Sequence, residues 1–241
     1  MRMREAWTPS KFVQARGGLA ASADPACVDI RSRLMVNLLA AAYEKAILAH
    51  ASGVLADLGC GRVPLYGVYA TRVSQVICAD WPQSLHRLAH VDCFIDLDAP
   101  LPFVSSRFDT VLATDVLEHL SDPRSFVREV SRVLRTGGKL ILGAPFLYWL
   151  HEEPNDHHRL TSHQLRRLCA ESGLEVVHLE AYGGPLAVLL DITGKVVPGS
   201  MAARVVQSLG GRLLASRIGE RLDRRKREQF PLGYCLVARK T

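Results

Sequence analysis

From Val28 to Ala181 the chain alternates between short apolar runs ending near glycine or an acid and longer segments with apolar residues at helical spacing. No other feature restricts the fold as much. Strand and helix in strict alternation give a parallel sheet covered on both faces, the doubly wound α/β class. Leu34, Met35, Leu38, Leu39, Ala42, Ala46 and Ile47 mark one apolar helix face between Val28 and His50. Strands are expected at 54–58, 73–80, 93–96, 108–114, 139–144, 174–181 and 234–239, seven in all. One helix should be capped by Ser121 or Asp122, carry Pro123 in its first turn and end at Gly137-Gly138. Another should open on Thr161-Ser162-His163-Gln164, a capping box, and close at Gly173. Residues 184–230 read as helices broken at Gly194, Pro198 and Gly210-Gly211. A single domain is expected: a helical region over 1–50, a core over 51–181, a helical insertion over 182–230 and a last strand over 231–241.

Composition narrows the function classes. At 48% hydrophobic and 22% charged, 241 residues make an ordinary globular chain and not a disordered or fibrous one. The longest apolar stretch, Leu140 to Leu150, is interrupted by Gly143 and Pro145 and is too short to span a bilayer. The charged start, MRMREAWTPSKF, leads into no apolar segment, so no secretory leader is expected and the protein is placed in the cytoplasm. The six cysteines form no CxxC pair, so neither a zinc ribbon nor a redox dithiol is signalled, and they read as small buried groups. The net charge of +6 is concentrated: residues 201–230 hold eight Arg or Lys against three acids. No nucleic-acid partner is expected from so local an excess. Within 212–227, Leu213, Leu214, Ile218 and Leu222 interleave with the arginines. That pattern suits a solvated helix covering the site with its apolar face, or a helix touching a membrane surface.

In a doubly wound sheet, ligands bind where strand ends meet helix N-termini. The first such loop is Asp57-Leu58-Gly59-Cys60-Gly61. Two glycines at this spacing let the backbone turn tightly and approach a ligand. Asp80 closes the second strand and can accept both hydroxyls of a ribose. A dinucleotide fingerprint would place a small residue where Pro64 stands; proline has bulk and no N–H, which disfavours a pyrophosphate cradle.

DLGCG, the acid in ADW, DAPLPF, FDTVLATDVLEHL and VLRTGGKLIL, in this order and spacing, resemble a class I S-adenosylmethionine-dependent methyltransferase of the small bacterial "type 11" kind. The resemblance spans about residues 28–181. It implies a Rossmann-like, mostly parallel sheet whose last strand runs antiparallel, with S-adenosylmethionine as cofactor. It also implies roles for single residues. Asp57, Gly59, Cys60 and Gly61 would line the methionine end, and Asp80 would take the ribose. Trp81 would lie along the adenine, with Asp96 and the backbone of Leu97 at its amino group and Asp98 as a rival to Asp96. Thr114 would offer a carbonyl to the cofactor's amino group. The pattern is broken at Val63, where many relatives have a third glycine.

A methyl acceptor that reacts at oxygen is helped by a general base, and histidine suits that task near neutral pH. The segment His151 to Arg159 holds three histidines and three acids beyond the fifth strand. Asp156, His157 and His158 are the expected bases. Carboxylates and imidazoles also cluster as metal ligands do, but no fixed ligand spacing appears, the family is not generally metal-dependent here, and no metal is expected. His119 reads mainly as a residue packed at a helix start. The expected activity is methyl transfer to a small-molecule, sugar or lipid-linked acceptor. The alternative is a catalytically silent relative that binds the cofactor as a partner subunit.

Overall fold

A 3₁₀ turn over Arg4–Ala6 is followed by a β-hairpin, strands β1 (Phe12–Ala15) and β2 (Gly18–Ala21) joined by the two residues Arg16 and Gly17. The N-terminal region expected to be helical therefore includes a two-stranded hairpin. Gly17 and Gly18 permit this: Gly18, the first residue of β2, leaves the turn at φ +115°, a region that glycine enters freely. The structure is a computed structural model that describes residues 4–84 and 89–241; the first three residues of the charged start lie outside the described residues.

After a short 3₁₀ turn, α1 (Arg33–His50) buries Leu34, Met35, Leu39, Ala42, Tyr43, Ala46 and Ile47. Seven further strands form one sheet: β3 (Gly53–Leu58), β4 (Val73–Asp80), β5 (Cys93–Phe94), β6 (Phe108–Thr114), β7 (Leu134–Pro145), β8 (Leu174–Tyr182) and β9 (Gly233–Lys240). Their order is β5-β4-β3-β6-β7-β9-β8. The first five are parallel, and β9 runs antiparallel to both β7 and β8. Side chains alternate between two cores, as the pleat requires: Leu112, Ile141 and Val237 face the α1 side, while Val111, Leu140 and Leu236 face α3 (Pro123–Val133) and α4 (Ser162–Glu171).

Asp122 caps α3, its carboxylate accepting from the N–H groups of Arg124 and Ser125. Thr161 caps α4 through Gln164 N–H. Gly137 and Gly138 do not end α3. The helix stops at Val133, and Leu134 already pairs with Phe108, so the glycines fall within β7. The insertion holds α5 (Pro185–Val196), α6 (Ser200–Ala215) and α7 (Arg217–Arg225). Pro198 lies in the break between α5 and α6, but Gly194 and Gly210-Gly211 lie inside helices. A Cβ on Gly194 would sit 2.6 Å from the Gln207 amide, and one on Gly210 would sit 3.1 Å from Leu190. These glycines let two helices approach, and that packing outweighs their poor helix propensity. Gln207 in turn accepts from Leu34 N–H at 2.7 Å and donates to Arg31, tying α6 to the start of α1. Among the described residues, no helix is long and apolar enough to cross a membrane.

Candidate functional site

The carboxyl ends of β3, β4 and β6 converge beside the glycine loop, and a cavity of about 290 Å³ opens there. Asp57, Gly59, Cys60, Gly61 and Thr114 line it, together with Lys11 and Phe12 of the hairpin region and Met35 of α1. Its other wall carries Asp115, Glu118, His119, Tyr148 and His151.

Asp57 is buried at the end of β3, where the hydroxyl of Tyr69, in the short helix α2 (Tyr66–Tyr69), donates to its Oδ2 at 2.8 Å. Burial pushes the Asp57 pKa up to about 7; the Tyr69 hydrogen bond opposes the rise, and nearby Asp80 adds to it. The loop beyond it is tight. Gly59 and Gly61 have φ +69° and +51°, and Val63 takes φ +52°. A β-branched residue in that region is strained, and Val63 holds it while fully buried. The loop's N–H groups are spent internally: Gly59 and Cys60 donate to Ala79 O at 2.9 and 3.2 Å, Gly61 donates to Asp80 Oδ2, and Val63 donates to Cys60 O at 2.7 Å. Few donors therefore remain for a pyrophosphate, which agrees with the reading of Pro64.

Asp80 is buried between the glycine loop and Trp81, whose N–H donates to Oδ1 at 2.7 Å. Asp80, Trp81, Asp96 and Leu97 do not line the cavity; Trp81 is 42% exposed, and Asp96 accepts from Asp98 N–H at 2.9 Å. The rival Asp98 is engaged at the entry to α3, accepting from Ser121 and Asp122 N–H.

The expected bases are not brought to the cavity. Asp156 is bound by the Arg159 guanidinium, at 2.5 and 2.7 Å, and by His151 N–H at 2.9 Å. Burial works against its charge, but these donors prevail and hold its pKa down at about 2, so it is a fixed anion and not a base for neutral pH. His157 and His158 both donate their backbone N–H to Glu118 O, at 2.7 and 3.2 Å, which anchors the segment; neither residue lines the cavity. His119 and His151 do. They stack edge-to-face, 5.0 Å between centroids, against Glu118 in the 3₁₀ turn Leu117–His119. The signal for His119 was LEHL, where Glu118 precedes it just past a strand end, and the signal for His151 was the run 151–159.

Asp115, at φ +55°, receives the Tyr43 hydroxyl at 2.6 Å and Lys11 Nζ at 3.1 Å. Tyr148 bonds Ser32 at 3.1 Å between hydroxyls, and Lys195 of α5 lies 3.7 Å over its ring, so the insertion braces the cavity wall. The apolar face of 212–227 does not cover the site: Leu213, Ile218 and Leu222 are exposed, and only Leu214 packs inward.

The methyltransferase-domain family matches residues 56–142. The chain is 25% identical over 179 residues to a malonyl-[acyl-carrier protein] O-methyltransferase of Hahella chejuensis, covering 64% of each protein. It is 30% identical over 110 residues to a ubiquinone biosynthesis O-methyltransferase of Xanthomonas oryzae pv. oryzae, covering 42% of this chain and 46% of that one. The chain thus spans less than two thirds of either relative's length. Geranyl diphosphate methyltransferase, solved with S-adenosylmethionine, shares the fold at TM-score 0.54 and 17% identity, over 91% of this chain and 93% of that one.

Proposed function

We propose that the chain, which carries a methyltransferase domain over residues 56–142, is a class I enzyme that moves the methyl group of S-adenosylmethionine to an oxygen of a small-molecule, sugar or lipid-linked acceptor. One observation carries this furthest: two buried carboxylates, Asp57 and Asp80, end adjacent strands across a glycine loop whose N–H groups are already bonded. Such a site offers acceptors where a dinucleotide needs donors, and acceptors suit a ligand with an ammonium group and ribose hydroxyls. When bound, S-adenosylmethionine supplies a methyl carbon activated by its sulfonium. Asp57, Gly59, Cys60, Gly61 and the Thr114 carbonyl are proposed to hold the methionine end. Asp80 is assigned to the ribose, and Trp81, Asp96 and Leu97 to the adenine.

The acceptor is assigned to the opposite wall, between Tyr148 and the group Glu118, His119 and His151. Holding an oxygen in line with the methyl carbon at about 3–3.5 Å supplies much of the rate. The cytoplasm is the proposed compartment. Calorimetry tests the reading: S-adenosylhomocysteine should bind and NAD should not. Turnover with acceptor extracts should follow; binding with no turnover against any extract returns the silent-subunit reading.

A further inference from the structure

Glu118 is 1% exposed, and neither of its carboxylate oxygens has a hydrogen-bond partner. Leaving such a group buried and unsatisfied is costly, so it calls for a partner of its own. Two imidazoles point at it. His119 Nε2 and His151 Nε2 each lie 3.8 Å from the same oxygen, Oε1, beyond hydrogen-bond reach. Their other nitrogens are fixed by acceptors. His119 Nδ1 lies 2.9 Å from Asn155 O, and His151 Nδ1 lies 3.2 Å from Asp156 Oδ2 and 3.3 Å from Trp149 O. Carbonyls and carboxylates only accept, so each Nδ1 carries a proton, and in the neutral ring that leaves the Nε2 lone pair for an ion. An outer shell that sets the tautomer in this way is the usual support of a metal-bound imidazole. A purely hydrogen-bonded triad would instead turn an Nε2–H onto the carboxylate.

The three ligand atoms lie within 4.8 Å of one another. Donors held about 2.0–2.1 Å from one tetrahedral ion stand roughly 3.4 Å apart, so a small closing of side chains completes the set. We propose that Glu118, His119 and His151 bind a divalent transition-metal ion of the zinc or manganese kind, and that this ion takes an acceptor oxygen as a further ligand. Two nitrogens and one carboxylate oxygen favour such ions over magnesium or calcium, which prefer all-oxygen sites. Three protein ligands leave a position open, and all three residues line the cavity. Metal binding stands on the geometry alone; the role toward the acceptor rests on the methyl-transfer reading.

The test uses the whole chain, stripped with a chelator and titrated with Zn²⁺, Mn²⁺ or Mg²⁺ alone, with Co²⁺ as a spectroscopic probe. Wild type should take up one equivalent of Zn²⁺ or Mn²⁺ more tightly than Mg²⁺, and Co²⁺ should show the absorption of a nitrogen-ligated ion. Glu118→Gln, His119→Ala and His151→Ala should each weaken binding by at least roughly 100-fold, while His157→Ala should bind like wild type. Absence of saturable binding in wild type overturns the proposal, as does unchanged affinity in the three ligand variants. If a variant does not fold, the wild-type cobalt spectrum still decides. A parallel titration with S-adenosylhomocysteine separates the two readings. Loss of metal binding with the nucleoside retained removes only this inference, and the reverse result removes only methyl transfer.

Discussion

Tyr69 donates its hydroxyl proton to Asp57 Oδ2 at 2.8 Å, and both side chains are buried at the mouth of the glycine loop. That bond favours the charged form of a carboxyl that burial pushes towards neutrality, so the charge of the proposed cofactor site depends on a residue outside the DLGCG motif. Tyr69→Phe should destabilise the fold by about 1–2 kcal/mol and weaken S-adenosylhomocysteine binding at neutral pH, read by denaturation and calorimetry. Affinity equal to wild type would show that the bond does not serve the site.

The pKa of Asp57 also sets a pH dependence. Its value of about 7 stands above the ordinary 3.8, so the folded chain holds this proton more tightly than the unfolded one. The contribution to stability is complete below about pH 4 and is withdrawn as the pH rises towards 7. Asp57→Asn should flatten the stability profile across that window, measured as denaturant midpoints at several pH values. An identical slope in wild type and variant would count against it.

Asp80→Ala should weaken cofactor binding by about 1.5–3 kcal/mol per lost charged hydrogen bond. The same carboxylate also receives Gly61 and Trp81 N–H, so its removal loosens the loop as well. Asp80→Asn keeps one acceptor oxygen and should lose less. Equal losses in the two variants, measured by calorimetry, would assign the effect to something other than acceptor count.

Gly143→Ala should cost at least about 1–3 kcal/mol and disturb the cavity wall. A Cβ there would fall 1.9 Å from the Tyr43 hydroxyl and drive it away from Asp115. Thermal unfolding checks this directly; an unchanged midpoint would mean that Tyr43 moves freely.

Exposed Leu213, Ile218 and Leu222 stand among Arg217, Arg221, Arg224 and Arg225, which suits contact with an anionic bilayer surface. The chain should co-sediment with vesicles containing phosphatidylserine, more weakly in high salt, and little with neutral vesicles. Arg221→Glu with Arg224→Glu should abolish the difference. Equal recovery with both vesicle types would remove the membrane from the picture.

Strands 73–80 and 108–114 were legible to the residue because apolar runs there end in an acid or a polar turn. Caps at Asp122 and Thr161 were legible because their chemistry is local. Gly194 and Gly210 misled because their role lies in a neighbouring helix. The wall proposed for the acceptor misled for a similar reason. His157 and His158 sit in the right segment, but their backbone anchors to Glu118, and the turn directs His151 inward against a glutamate 33 positions earlier. Only the folded path reveals that pairing.

The salt bridge between Lys11 and Asp115 joins residues 104 positions apart. The hairpin can pack early on α1, where Leu19 N–H donates to Glu44, but the Lys11 contact that closes this side of the cavity waits until the residue after β6 has emerged. Its assembly is therefore a late, long-range event, slow relative to local helix formation. A ligand that binds only the closed cavity would favour that long-range contact by mass action.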